Sequence, residues 1–203
     1  MGKLITVIGP SGIGKTSLVN ELAKTNQFSI AFEEHADRPF QAMAKQDAKY
    51  IFANQMDYLI LRAEQEMELR NGSQIGLLDG GLDLDFHGFT RLFLSRNLLS
   101  SNEFDLCQRF YLLIRRLQPL PELIVRLKAD EETVAGRLSG RKRINIAQAD
   151  DISIFNFFLD QWLGSIPSSQ ILEMDVSNED VNYEYSVDII LDTIEKSFKR
   201  RYP

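Results

Sequence analysis

The sequence predicts an α/β fold, a five-stranded parallel sheet with helices on both faces, and three observations lead there. Short apolar, β-branched runs alternate with longer amphipathic ones along the 203 residues. The first run, Leu4 to Ile8, is apolar almost throughout and ends at glycine, as in a strand buried on both faces. The residues best suited to chemistry, Gly9 to Thr16, Glu33, Asp79 and Asp175, fall where such runs end, and open parallel sheets hold ligands outside the carboxyl ends of their strands.

The elements follow in order. Leu4 to Ile8 is the first strand and Thr16 to Lys24 the first helix, with Leu18, Leu22 and Ala23 on one face. Phe28 to Phe32 is a second strand ending at Glu33 and Glu34. Pro39 to about Arg70 is a long helical stretch with room for one break. Ile75 to Leu78 is a third strand, ending at Asp79 and the Gly80-Gly81 pair. Helices are expected over Phe86 to Leu99 and Glu103 to Leu117, and a fourth strand over Glu122 to Leu127. Glu131 to Leu138 reads as a helix entering the basic run Arg141 to Arg143. Ile152 to Leu163 is helical, Gln170 to Met174 a fifth strand, and Val187 to Phe198 a closing amphipathic helix. The length suits one domain.

A formal net charge of −6 argues against a general nucleic-acid binder, so any anion site must be local. One cysteine, Cys107, leaves no internal disulfide, and with two histidines the chain lacks the ligands for a structural zinc site. The apolar run near the amino terminus is too short for a signal-peptide core or a membrane span. A soluble, cytoplasmic protein is expected.

Gly9-Pro10-Ser11-Gly12-Ile13-Gly14-Lys15-Thr16 matches G-x-x-x-x-G-K-[ST] at every defined position, between a strand and a helix as the motif requires. Its glycines let backbone N–H groups, including those of Ser11 and Ile13, turn toward phosphate oxygens. Lys15 carries charge to the outer phosphates, Thr16 offers a hydroxyl to Mg²⁺, and Ser17 continues the helix whose positive end faces the anion. The motif implies a P-loop NTPase fold that binds ATP, or another nucleoside triphosphate, with magnesium. A GTPase is disfavoured because no N-K-x-D segment occurs. Leu138-Ser139-Gly140 resembles the start of a transporter-ATPase signature, but no apolar run ending in Asp-Glu follows it.

Phosphoryl transfer to a hydroxyl needs a carboxylate at the acceptor and cations around the moving group. Glu33 or Glu34 supplies the first. Arg137, Arg141 and Arg143 supply the second, within a lid over about 137–150, and Asp79 stands where a carboxylate would meet magnesium or the acceptor. Asp83 reads as a turn residue, His35 and His87, isolated in the sequence, each as a polar contact or surface residue, and Cys107 as a core thiol.

These residues resemble the deoxynucleoside kinase family, especially its bacterial deoxyadenosine and deoxyguanosine kinase branch, over most of the chain. Glu33, with Pro39 in register, is similar to that family's Glu-Pro and Asn-Pro pattern. Asp79 to Asp85 resembles its D-R-S-x-x-x-D motif, and Arg137 to Arg143 its R-x-x-x-R-G-R lid. The resemblance implies Glu33 as catalytic base, Lys15, Arg137 and Arg141 as charge stabilisers, Asp85 facing the nucleobase, and a homodimer formed through the Phe86 to Leu117 helices. It also implies a small nucleoside acceptor, while the net charge and the lack of a long apolar run leave neither nucleic-acid polymer nor membrane as an expected partner. Two departures stand out. Gly80 replaces the D-R-S arginine, and Ala53 replaces the base-reading glutamine, leaving Asn54, Gln55 or Arg62 to face the pocket. A nucleotide-binding subunit with weak activity and a nucleoside monophosphate kinase are the alternative readings.

Overall fold

A computed structural model describes residues 2–32, 38–130, 133, 134, 137, 151–180 and 182–199. Five strands, β1 (Leu4–Ile8), β2 (Phe28–Ala31), β3 (Ile75–Asp79), β4 (Leu123–Lys128) and β5 (Ile171–Asp175), form one parallel sheet in the order β2-β3-β1-β4-β5. Each expected strand is present, within a residue or so of its expected ends.

β1 is central and buried on both faces. Ile5 and Val7 point into a core with α1 (Lys15–Ala23) and the closing helix, through Leu18, Leu22, Ile190 and Ile194. Leu4 and Ile8 point the other way, Leu4 to Leu69 and Ile8 to Phe155 and Trp162. Each such side chain, wholly removed from water, contributes about 2 kcal/mol. Val7 stands opposite Asp79 in register, and Gly80 N–H donates to the Val7 carbonyl at 2.9 Å. The loop after β1 and the turn after β3 therefore open at the same level of the same edge.

The long helical stretch does break once. α2 (Pro39–Gln46) ends at Asp47, whose extended backbone lets its carboxylate accept from Lys49 N–H, and a short 3₁₀ turn leads into α3 (Ile51–Asn71). α3 is unusual in what it buries: Asn54, Gln55, Arg62, Gln65, Glu66 and Arg70 all turn inward.

The helix expected from Phe86 starts four residues earlier. Gly80 and Gly81, at φ 89° and 128°, complete the turn after β3, and α4 (Leu82–Leu84) begins at once. It passes through a π-helical turn over Asp85–Thr90 into α5 (Arg91–Ser95), which stops at the left-handed Asn97. The Ser100–Glu103 capping box starts α6 (Ser101–Leu117). α7 (Ile152–Leu163) and α8 (Glu184–Lys199) complete the fold. The expected Glu131–Leu138 helix is helical at Thr133, Val134 and Arg137, and the rest of it, with the 141–150 part of the lid, lies outside the described residues. Among the described residues no helix is long and apolar enough to cross a membrane.

Candidate active site

On the donor side the chain winds through Gly9, Gly12 and Gly14 at φ 147°, 86° and 110°, conformations that favour glycine, and delivers Lys15 as the first residue of α1. Lys15 Nζ folds back onto the carbonyls of Gly9 and Pro10 at 3.0 and 3.2 Å. Gly14 is needed for space as well as conformation, because a Cβ there would lie 2.0 Å from Tyr183 Oη. Arg137 reaches the same loop, donating to the carbonyls of Ile13 at 2.8 Å and Val176 at 3.0 Å. Ser17 is exposed on α1. Thr16 Oγ1 donates to Asp79 Oδ2 at 2.5 Å, while Asp79 is fully buried with its Oδ1 unpartnered among the described residues. A hydroxyl beside a carboxylate with an orphaned oxygen is a hard, all-oxygen pair, the donor type that Mg²⁺ takes.

Beside the phosphate loop α3 converges with the turn after β3. Arg62 Nε donates to Asp85 Oδ2 at 2.9 Å, and its Nη1 donates to Gln65 Oε1 at 2.9 Å. Gln65 in turn donates to the Phe32 carbonyl at 3.0 Å, one residue before Glu33. Gln55 Nε2 donates to the Asp85 carbonyl and to Thr90. Arg62 Nη2 stands 3.2 Å from where a Cβ on Gly80 would be. The guanidinium missing at position 80 is thus matched by one arriving from α3, in space that glycine leaves open. Asp85 can hold this place because the π-helical turn begins at it, and such turns recur at functional sites.

A family model described as deoxynucleoside kinase matches residues 5–199. The chain belongs to the deoxynucleoside kinases. Two relatives come from Bacillus subtilis (strain 168): a deoxyadenosine/deoxycytidine kinase, 21% identical over 94% of this chain and 91% of that one, and a deoxyguanosine kinase, 25% identical over 87% of each. The fold matches a deoxyadenosine kinase from M. mycoides solved with bound dATP, at TM-score 0.77, 19% identity, 95% of this chain and 99% of that one. The same enzyme with bound dCTP also gives TM-score 0.77, at 17% identity and the same coverage. This deoxynucleoside kinase is a P-loop phosphotransferase that uses a nucleotide and phosphorylates nucleosides.

The structure brings together Thr16 with Asp79, Arg137 with the phosphate loop, and Gln55 and Arg62 with Asp85. Glu33, Arg141 and Arg143 lie outside the described residues. One reading needs correcting. Asp83 is no turn residue but lies within α4 and is buried, its Oδ1 accepting from Tyr111 Oη at 2.8 Å and pairing with Arg115 Nε at 3.1 Å. Arg115 also grips both oxygens of Glu66 at 2.7 and 2.8 Å, and Glu66 accepts the backbone N–H of Leu82 at 3.3 Å. Burial raises the Glu66 carboxyl above its ordinary value, with Asp83 adding to the effect and Arg115 opposing it. Burial would lower Arg115, but the two carboxylates outweigh it and hold the guanidinium charged.

His87 makes a polar contact, one of the two roles expected of it. It stacks on Trp162 with ring centroids 5.0 Å apart, and its Nε2 lies 3.0 Å from Tyr111 Oη. Cys107 is the buried thiol expected, pushed up to about 11 by burial. Thr90, Gln65, Glu66, Arg115 and Tyr183 were not among the expected site residues. For Gln65 and Glu66, polar residues on the inner face of α3 were the available signal, and apolar periodicity does not register them.

Proposed function

We propose that this kinase moves the γ-phosphoryl group of ATP to the 5′-hydroxyl of a deoxynucleoside, within a single domain closed by a lid over about 137–150. Glu33 takes the hydroxyl proton, the 5′-oxygen forms the new bond to phosphorus, and the bond from the γ-phosphorus to the bridging oxygen breaks, releasing ADP. Lys15, Arg137 and Arg141 meet the charge that builds on the transferring group and leaving oxygen, with Arg143 binding beside them. Thr16 and Asp79 would hold Mg²⁺, which when bound neutralises phosphate charge. Gln55, Arg62 and Asp85 address the base.

The observation that carries this reading is the pair of constellations at one sheet edge. Thr16–Asp79 belongs to the donor and Arg62–Asp85–Gln55 to the acceptor, joined by the turn through Gly80. Phe32, pinned by Gln65, leads directly into Glu33. A coupled ADP-release assay across the common deoxynucleosides tests it, with Lys15→Ala and Glu33→Gln as controls. ADP release that no nucleoside accelerates would refute the transfer, and full turnover in Glu33→Gln would refute the base.

The same proposal includes a homodimer and a cytoplasmic setting. Phe86, Leu92 and Phe93 are buried within the protomer, which favours the second of the two helices for the expected contact. Exposed apolar side chains lie on α6, at Leu106, Leu113 and Leu117, and on α3, at Ile60 and Met67. A cleft of about 600 Å³ between α3 and α6, lined by Phe52, Met56, Phe110 and Leu113 among others, belongs to the same face. A second copy seated there is what Leu113→Glu would dislodge, giving monomers in sedimentation.

A further inference from the structure

Gln65 is buried on α3 between two groups that can each bond in one way only. Its Oε1 accepts from Arg62 Nη1 at 2.9 Å, and its Nε2 donates to the Phe32 carbonyl at 3.0 Å. A guanidinium only donates and a backbone carbonyl only accepts, so the amide has one orientation and both of its ends are used. A carboxylate of the same length would keep the first bond and set oxygen against oxygen at the second.

The second bond comes where the sheet gives out. β2 is an edge strand, and its register with β3 ends at Ala31, opposite Leu78. Phe32 lies one residue beyond, its side chain exposed rather than seated in the core, and the next residue is Glu33. The chain is tied to the same helix again at Arg38, whose guanidinium grips the Asp57 carboxylate, with Nε 2.6 Å from Oδ2, and whose Nη2 donates to the Asp57 carbonyl at 3.2 Å. Helix α3, which carries Arg62, therefore holds the chain on both flanks of residues 33–37.

Resting on the reading of Glu33 as catalytic base given above, we infer that Gln65 is a positioning residue for phosphoryl transfer. Its amide ties the end of β2 to Arg62, and so fixes the point of the chain from which Glu33 follows against the groups that address the nucleoside. A base must stay within hydrogen-bond reach of the hydroxyl it deprotonates, and a displacement of about an ångström can cost on the order of a hundredfold in rate.

The test measures kcat and KM, with ATP and the deoxynucleoside turned over fastest, in wild type, Gln65→Met, Gln65→Glu, Glu33→Gln and the two double variants. Gln65→Met keeps the length and removes both bonds, and is expected to lower kcat about tenfold or more while the KM for ATP stays unchanged. Gln65→Glu keeps the bond to Arg62, so it is expected to lose as much kcat while holding the nucleoside KM near wild type. In the Glu33→Gln background either change is expected to lower kcat by about twofold at most, because the group it positions is already gone. Gln65→Glu carries the comparison if Gln65→Met does not fold, as judged by thermal melting. Wild-type kcat in a single variant at position 65, or an equal loss with and without Glu33, overturns the inference and leaves the base standing where Glu33→Gln is itself crippled. Full turnover in Glu33→Gln removes the base, and the inference with it.

Discussion

The two halves of the proposed site are assembled by different means. The donor half is eight consecutive residues, Gly9 to Thr16, whose working groups are mostly backbone, held open by three glycines and backed by the end of α1. The acceptor half draws Gln55, Arg62 and Gln65 from one helix and Asp85 and Thr90 from a π-helical turn. It is supported from below by Glu66, Asp83, Tyr111 and Arg115. A backbone cradle tolerates change in its side chains as long as the chain can still turn. A buried network of charges does not, because each member removed strands its partners in a medium that solvates them poorly. Damage to the donor half should therefore appear in catalysis, and damage to the acceptor half in folding and specificity.

Lys15→Ala should have the largest effect. Lys15 is the one long cation inside the phosphate loop itself, so turnover should fall about a thousandfold or more, while the midpoint of urea unfolding barely moves. A large loss of stability in this variant would blur the distinction between the halves. Arg115→Ala tests the other side. It leaves Glu66 and Asp83 facing each other without a cation and should cost about 3 kcal/mol of folding free energy in urea titrations. If Arg115→Ala remained as stable as wild type, the triad would be a bystander to folding.

Gly80→Ala probes the junction of the two halves. Its φ of 89° is costly for any residue with a Cβ, and that Cβ would press on Arg62 at 3.2 Å. A loss of about 1–2 kcal/mol in stability is expected, with a rise in nucleoside KM larger than the change in ATP KM. An equal rise in both would place Arg62 outside the acceptor half.

The donor half was legible in the sequence because its residues are adjacent and its geometry follows from glycine, lysine and a hydroxyl in fixed order. The sheet was legible for a similar reason, since a strand buried on two faces announces itself as in Leu4 to Ile8. Arg62 and Asp85 came through resemblance alone, 23 residues apart. The supporting layer did not come through at all. Glu66 and Arg115 are separated by 49 residues, and each reads locally as an ordinary charged position on a helix. Asp83 between glycines and leucines looks like a turn until the helix is seen to begin at Leu82. The π-helical turn has no compositional mark. Its existence follows from packing, with Phe86 stacked on Tyr111 at 4.3 Å and Gly88 pressed so closely by Phe155 that a Cβ would lie 2.4 Å from the ring.

The smallest predicted effect is a pH dependence that separates the network from the loop. His87 lies between Trp162 and Tyr111, and because Tyr111 Oη donates to Asp83, its oxygen accepts from an Nε2–H of His87. Burial, reinforced by the nearby charges of Arg91 and Arg115, lowers the imidazole to about 3. In the unfolded chain it returns to near 6.5. Between these values the unfolded state binds a proton that the folded state refuses, so this contribution to stability is whole above pH 6.5 and is lost as pH falls toward 3. From pH 7.5 to 5.5 the loss is about 1.4 kcal/mol. Glu66 acts in the opposite sense, since its raised carboxyl takes up a proton more readily folded than unfolded as the medium acidifies. The measurement is therefore the difference between wild type and His87→Gln, which retains a donor to Tyr111 and cannot titrate. That difference should shrink by about 1.4 kcal/mol over those two pH units. Curves that run parallel would mean that His87 charges freely in the folded state, and the acceptor half would then be as open to water as the loop it faces.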